Sequence, residues 1–92
     1  MLESTIELKI KGAVKVMGGL CLKWVSPGFS GVPDRIIILP GGRVLFVEVK
    51  RPGGKLRPRQ QRVHDQMRSL GCEVITVDDA DEMIRILKGE DQ

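Results

Sequence analysis

GVPDRIIILPGGRVLFVEVKRPGGK, running from Gly31 to Lys55, decides how the chain is read. Ile36 to Leu39 is a continuous apolar run, and Val44 to Lys50 is a second. Pro40-Gly41-Gly42 between them supplies a tight turn, so the two runs form an antiparallel hairpin. The second strand breaks its own pattern, because Glu48 and Lys50 carry charge where apolar residues should continue. Strand side chains alternate with period 2, so Val44, Phe46, Glu48 and Lys50 share one face. Asp34 opens the first strand, close to where the Glu48 end of the hairpin must return. Unpaired buried charges are costly, so something must compensate them.

Outward from the hairpin, the pattern gives seven elements. Leu2, Ile6, Ile10, Ala13, Val14 and Met17 recur at helical spacing and predict a helix over Glu3 to Val16, stopped by Gly18-Gly19. Leu20 to Val25 reads as a strand, and Ser26 to Pro33 as a loop by its Gly and Pro content. Beyond Lys50, RPGGKLRP is a second loop, Arg59 to Leu70 a helix closed by Gly71, and Glu73 to Val77 a strand reached through that crossover helix. A short helix over Asp79 to Leu87 ends the series, with Asp78 or Asp79 as its N-cap. The expected fold is α/β, a mixed sheet flanked by helices in the order αβββαβα, and residues 1–92 are read as a single domain.

Composition narrows the function classes. The 92 residues are 41% hydrophobic and 29% charged, the balance of an ordinary globule. No apolar stretch approaches the roughly 18–20 residues that span a bilayer, and the N-terminus has no apolar h-region, so an intracellular, cytoplasmic location is expected. Cys21 and Cys72 form no CxxC and are expected as free, buried thiols. His64 is the one histidine, too few for a histidine-metal nuclease, and is expected on the surface of its helix. No GxxxxGK[ST] is present, so no nucleotide cofactor is expected. The net charge of +3 is unevenly placed: Lys50, Arg51, Lys55, Arg57, Arg59 and Arg62 fall in one segment without an acid, whereas Glu73 to Gln92 is rich in acids. A one-sided basic segment suits phosphate-backbone binding, and a solvated helix face is the plain alternative. Lys23 is a further candidate phosphate contact. Trp24 and Phe29 could stack on exposed bases, or serve as core or dimer contacts.

Two carboxylates converging at adjacent strand ends, Asp34 and Glu48, make a hard-oxygen site suited to Mg²⁺ or Mn²⁺. The Val49 backbone carbonyl can add a third ligand. Lys50 would sit beside the metal, able to orient a water or stabilise charge on a phosphate. A purely structural Glu48–Lys50 pair on an edge strand is the alternative, but it explains neither Asp34 nor the basic segment.

Pro33-Asp34, a 13-residue gap and Glu48-Val49-Lys50 resemble the PD-(D/E)xK nuclease motif. The surrounding text, GGLCLKWVSPGFSGVPDRIIILPGGRVLFVEVKRPGGKLRPRQ, resembles the VRR-NUC branch of that superfamily, and with the flanking helices the likeness covers Glu3 to Val77. The resemblance implies a restriction-endonuclease-like fold and a Mg²⁺- or Mn²⁺-dependent DNA endonuclease. Stand-alone members, common in phages, are homodimers that cut branched DNA such as four-way Holliday junctions, in line and leaving a 5′-phosphate. If the chain is phage-encoded, the implied location is the host cytoplasm.

The superfamily often places a glutamate of the first helix near the metal. Glu3 and Glu7 both qualify, and Glu7, eleven residues before Gly18, fits the spacing better. The family also uses a glutamine in the context P-x-Q, here Pro58-Arg59-Gln60. On a helical wheel Gln60 flanks the stripe of Leu56, Val63, Met67 and Leu70, while Gln61 points away. The implied catalytic set is thus Asp34, Glu48, Lys50, Gln60 and Glu7, with Asp34, Glu48, Val49 and Glu7 towards the metal. The implied DNA contacts are Lys23, Arg51, Lys55, Arg57, Arg59 and Arg62. The rival reading is a module that binds branched DNA without cutting it.

Overall fold

Ile6, Ile10 and Val14, spaced one turn apart, form the buried stripe of α1 (Glu3–Val16), as the periodicity predicts. In this computed structural model, which describes residues 2–89, six further elements follow: β1 (Leu20–Lys23), β2 (Arg35–Ile38), β3 (Val44–Val49), α2 (Pro58–Ser69), β4 (Val74–Val77) and α3 (Ala80–Leu87). Glu90 and Asp91, counted in the acidic C-terminal stretch, lie outside the described residues.

The four strands form one sheet in the order β1-β2-β3-β4. β1, β2 and β3 are an antiparallel meander, and β4 pairs parallel to β3 through the α2 crossover. The order αβββαβα and the mixed sheet are those expected. Gly41 and Gly42 both take positive φ, 90° and 86°, in the turn between β2 and β3. That conformation is open to glycine at little cost.

Alternation sorts the side chains. Ile37, Leu45, Val47 and Val49 pack with Val77 under α1 and α3 (Ala80, Met83, Leu87) and form the main core. Truncating one of these, such as Leu45→Ala, costs about 2–5 kcal/mol. The other face carries two cross-strand rows, Leu22–Ile36–Phe46–Val74 and Leu20–Ile38–Val44. α2 covers this face only in part. Leu20 is 57% exposed and Val44 40%, so the second row opens to the outside, and Leu22 at the end of the first is 44% exposed.

Several boundaries move by a residue or two. β1 ends at Lys23, not Val25, because only the Trp24 amide prolongs the ladder, donating to the Asp34 carbonyl at 2.9 Å, before Pro27 forbids more. α2 begins at Pro58, whose missing N–H is no loss at a first helical position, and Leu70 is its C-cap. Leu70 leaves the expected stripe and is 78% exposed. Asp79 is the N-cap of α3, accepting from the Asp81 amide at 3.0 Å. Cys21 and Cys72 are free but half-buried. Among the described residues no helix is long and apolar enough to cross a membrane.

Candidate metal and nucleic-acid site

The β2–β3 register pairs Arg35 with Val47, and one step further it sets Asp34 opposite Glu48. The two acids expected to converge therefore do so across adjacent strand ends. Glu48 is buried, at 5% exposure, and Asp34 is half-buried. Asp34 Oδ1 and Glu48 Oε1 are both shut off from solvent without a hydrogen-bond partner among the described residues. Desolvation, then the Glu48 and Glu7 carboxylates, push Asp34 up to about 7. Burial also raises Glu48, while Lys50 opposes that shift.

α1 adds two more acids. Glu3, Glu7 and Asp34 each offer an oxygen within 4.8 Å of the others, the one such group of three potential ligands among the described residues. Both glutamates weighed from the sequence reach this cluster. They differ in their partners: Arg35 Nη2 stands 2.6 Å from Glu7 Oε2, whereas Glu3 is exposed and forms no ion pair among the described residues.

Lys50 lies where strand alternation puts it, on the Glu48 side. Its Nζ stands 3.5 Å from Glu48 Oε2 and donates to Gln60 Oε1 at 3.2 Å. Gln60 reaches inward because α2 starts at Pro58; its Oε1 also accepts from the Arg57 amide at 2.9 Å, which fixes the side chain at the first turn. Val49 is buried at the end of β3, and its backbone amide tempers the rise of the Asp34 pKa.

The sequence reading missed two residues. Arg35, two positions before Ile37, necessarily faces α1 and meets Glu7; that parity was legible. His64 was expected on the helix surface, and it is instead fully buried, with Nε2 3.9 Å from Glu48 Oε1. Burial, then the nearby Arg68 charge, lower its pKa and favour the neutral ring. Its spacing of four from Gln60 places it on the same inward side, a signal outweighed by assuming that a lone polar helix residue is solvated.

Lys23, Arg51, Lys55, Arg57, Arg59 and Arg62 are all exposed. Asp78 accepts from the Gly53 amide at 3.0 Å and ties down the Arg51–Lys55 loop. Arg59 donates to Ser30 Oγ at 3.1 Å and lies over the Phe29 ring at 5.3 Å. The β1–β2 loop rests on α2: a Cβ at Gly31 would come within 2.9 Å of Val63. Trp24 packs 5.5 Å from Phe46, and with Phe29, Val32, Val63, Met67 and Leu70 it lines a shallow apolar cleft of about 230 Å³.

Asp34, Glu48 and Lys50 stand at adjacent strand ends of a mixed αβββαβα sheet, the placement that the PD-(D/E)xK resemblance implies. The VRR-NUC domain family matches residues 5–79, and the chain belongs to that family. It is 46% identical over 79 residues to a protein named "Putative nuclease p44" from Acyrthosiphon pisum secondary endosymbiont phage 1, covering 86% of this chain and 85% of that one. A solved structure described as a VRR_NUC domain superposes with a TM-score of 0.86 at 33% identity, covering 98% of this chain and 97% of the other.

Proposed function

We propose that this VRR-NUC nuclease is a divalent-metal-dependent endonuclease that cuts DNA at branch points. The carrying observation is the opposition of Asp34 and Glu48, with the buried Asp34 Oδ1 left unpartnered among the described residues, beside a lysine held by Glu48 and Gln60. An orphaned Asp34 oxygen among further acids fits a hard divalent cation, Mg²⁺ or Mn²⁺, as the missing counter-charge. Asp34 and Glu48 would hold it, with the Val49 carbonyl and a glutamate of α1 completing the set. Bound there, the cation would supply Lewis-acid stabilisation of charge on a scissile phosphate.

The chain's own groups do the rest. Lys50 Nζ orients the attacking water, and Gln60 braces Lys50. The in-line attack leaves a 5′-phosphate. Arg51, Lys55, Arg57, Arg59 and Arg62 grip backbone phosphates, with Lys23 at the far side of the β1–β2 loop. Such contacts fix register without reading sequence, as suits an enzyme that selects shape.

A four-way junction has near two-fold symmetry and needs two opposed cuts, so two copies are required for paired incision. The open row Leu20–Ile38–Val44 supports a homodimer, since a second copy laid on that face would cover the apolar side chains α2 leaves exposed. The DNA substrate and a nuclease's place in phage replication support action in the cytoplasm of a host cell.

Incubating the protein with a labelled four-way junction and Mg²⁺ or Mn²⁺ tests the reading. Paired incisions that chelator abolishes are expected. Tight binding of the junction without incision would favour the rival, a branched-DNA binding module.

A further inference from the structure

α2 buries two side chains, Val63 and His64. His64 is fully buried, and neither ring nitrogen has a hydrogen-bond partner among the described residues. Its Nε2 stands 3.9 Å from Glu48 Oε1, which is also unpartnered. Two orphaned polar atoms thus face each other in the interior, just beyond hydrogen-bond length. Buried polar groups are nearly always paired, so a pair aimed at one another needs an explanation. The other Glu48 oxygen, Oε2, is the one near Lys50. The two edges of the carboxylate are therefore addressed by different elements.

We infer that His64 is a positioning residue for Glu48: its Nε2–H donates to Oε1 and fixes the carboxylate plane, leaving Oε2 for the reacting side. A lone pair on Nε2 would repel an ionised carboxylate, so the proton belongs there. Ligating carboxylates are themselves commonly held by a second hydrogen bond, and removing that support typically costs 10–100-fold in metal affinity or activity. The Gly31 carbonyl is the other acceptor that favours a proton on the ring, and the test separates the two. The inference rests on Glu48 as a metal ligand in the proposed nuclease.

The experiment compares His64→Leu, His64→Gln and His64→Asn with the parent chain. Mn²⁺ affinity is measured by calorimetry without DNA, alongside melting temperature and junction cutting. Gln carries an N–H₂ at the reach of Nε2, and Asn at the reach of Nδ1. Expected for Leu is a fall of roughly 10–100-fold in Mn²⁺ affinity and in kcat, with KM for DNA and melting temperature little changed. Gln should restore both to within a few-fold, and Asn should not. Parent-like Mn²⁺ affinity and kcat in the Leu variant would overturn the inference. So would rescue by Asn in place of Gln, which would make Gly31 the partner. Equal impairment of all three with a lowered melting temperature would also overturn it, as a structural role. If the parent binds Mn²⁺ but cuts nothing, the nuclease reading fails, while the Mn²⁺ affinities still decide the role of His64.

Discussion

Arg35 clasps Glu7 through two nitrogens, Nη2 at 2.6 Å and Nε at 3.2 Å from the same carboxylate oxygen. The pair ties α1 to β2 beside Asp34 and holds Glu7 in one orientation at the edge of the acid cluster. Glu3, one turn earlier, has no such tether among the described residues. A tethered ligand loses less freedom when a cation arrives than an untethered one. Glu7→Gln should therefore lower Mn²⁺ affinity and cutting by about 10–100-fold, and Glu3→Gln by only a few-fold. Calorimetry of the two variants checks this, and the reverse order would make Glu3 the glutamate of α1 that matters.

Lys50→Ala should remove the group that orients water while leaving the phosphate grip intact. Cutting should fall by roughly 10²–10³-fold, the range typical of a lost preorganised donor. Affinity for the junction, read by gel shift in Ca²⁺, should stay within a few-fold. Near-normal cutting by this variant would refute the assigned chemistry.

Asp34 carries a pH dependence. Its folded pKa of about 7 lies above the ordinary 3.8, so the folded protein holds a proton that the unfolded chain releases. In chelator, the contribution of Asp34 to stability is greatest below about 4, falls as pH rises to about 7, and is level above. His64, with its pKa lowered, works in the opposite direction, so the comparison is with Asp34→Asn, which keeps His64. The stability difference between parent and variant should shift towards the variant between about pH 4 and pH 7. Divalent metal must expel the same proton, so apparent Mn²⁺ affinity should climb with pH to about 7 and then level. Chelator melts and calorimetry across that range measure both.

The basic segment predicts salt dependence. If about five of its side chains each neutralise a phosphate on duplex arms, log K should fall against log[salt] with a slope of roughly −4 to −5. Neutralising Arg57 and Arg59 together should flatten the slope by about two units. Arg59 is held by Ser30 and Phe29, so a phosphate it gripped would meet a side chain already oriented. An affinity indifferent to salt would reduce the segment to a solvated helix face.

Sedimentation at micromolar concentration should find twice the 10.2 kDa of one chain. Leu20→Glu, at a site already 57% exposed, should cost little stability within one copy yet dissociate the pair. Paired incision should then give way to single nicks. A monomeric parent that still makes paired cuts would refute preassembly and leave assembly on DNA.

Periodicity carried most of the architecture, because each element announces its buried face: Ile6, Ile10 and Val14 on α1, and the alternation through Val49 on β3. Boundaries slipped where a cap decides them, as at Pro58 and Lys23, since a cap depends on what lies opposite in space. Asp34, Glu48 and Lys50 were legible because charge interrupts an apolar strand. Arg35 and His64 were missed for one shared reason. Each acts across the sheet–helix interface, and a one-dimensional pattern shows that a face is buried without showing which polar atom it meets.

The meander β1–β2–β3 is closed by short-range contacts, whereas β4 joins β3 only after the whole of α2 has been laid down. Local pairings form faster than distant ones, because less chain must be confined to bring their ends together. Asp34 and Glu48 therefore meet early on the route to the native state, before Gln60 and His64 arrive with the crossover helix. On the proposed metal site, a cation caught by the nascent hairpin would act as a template on which the last helix and strand dock, so metal ions would quicken refolding, apart from any part in cutting.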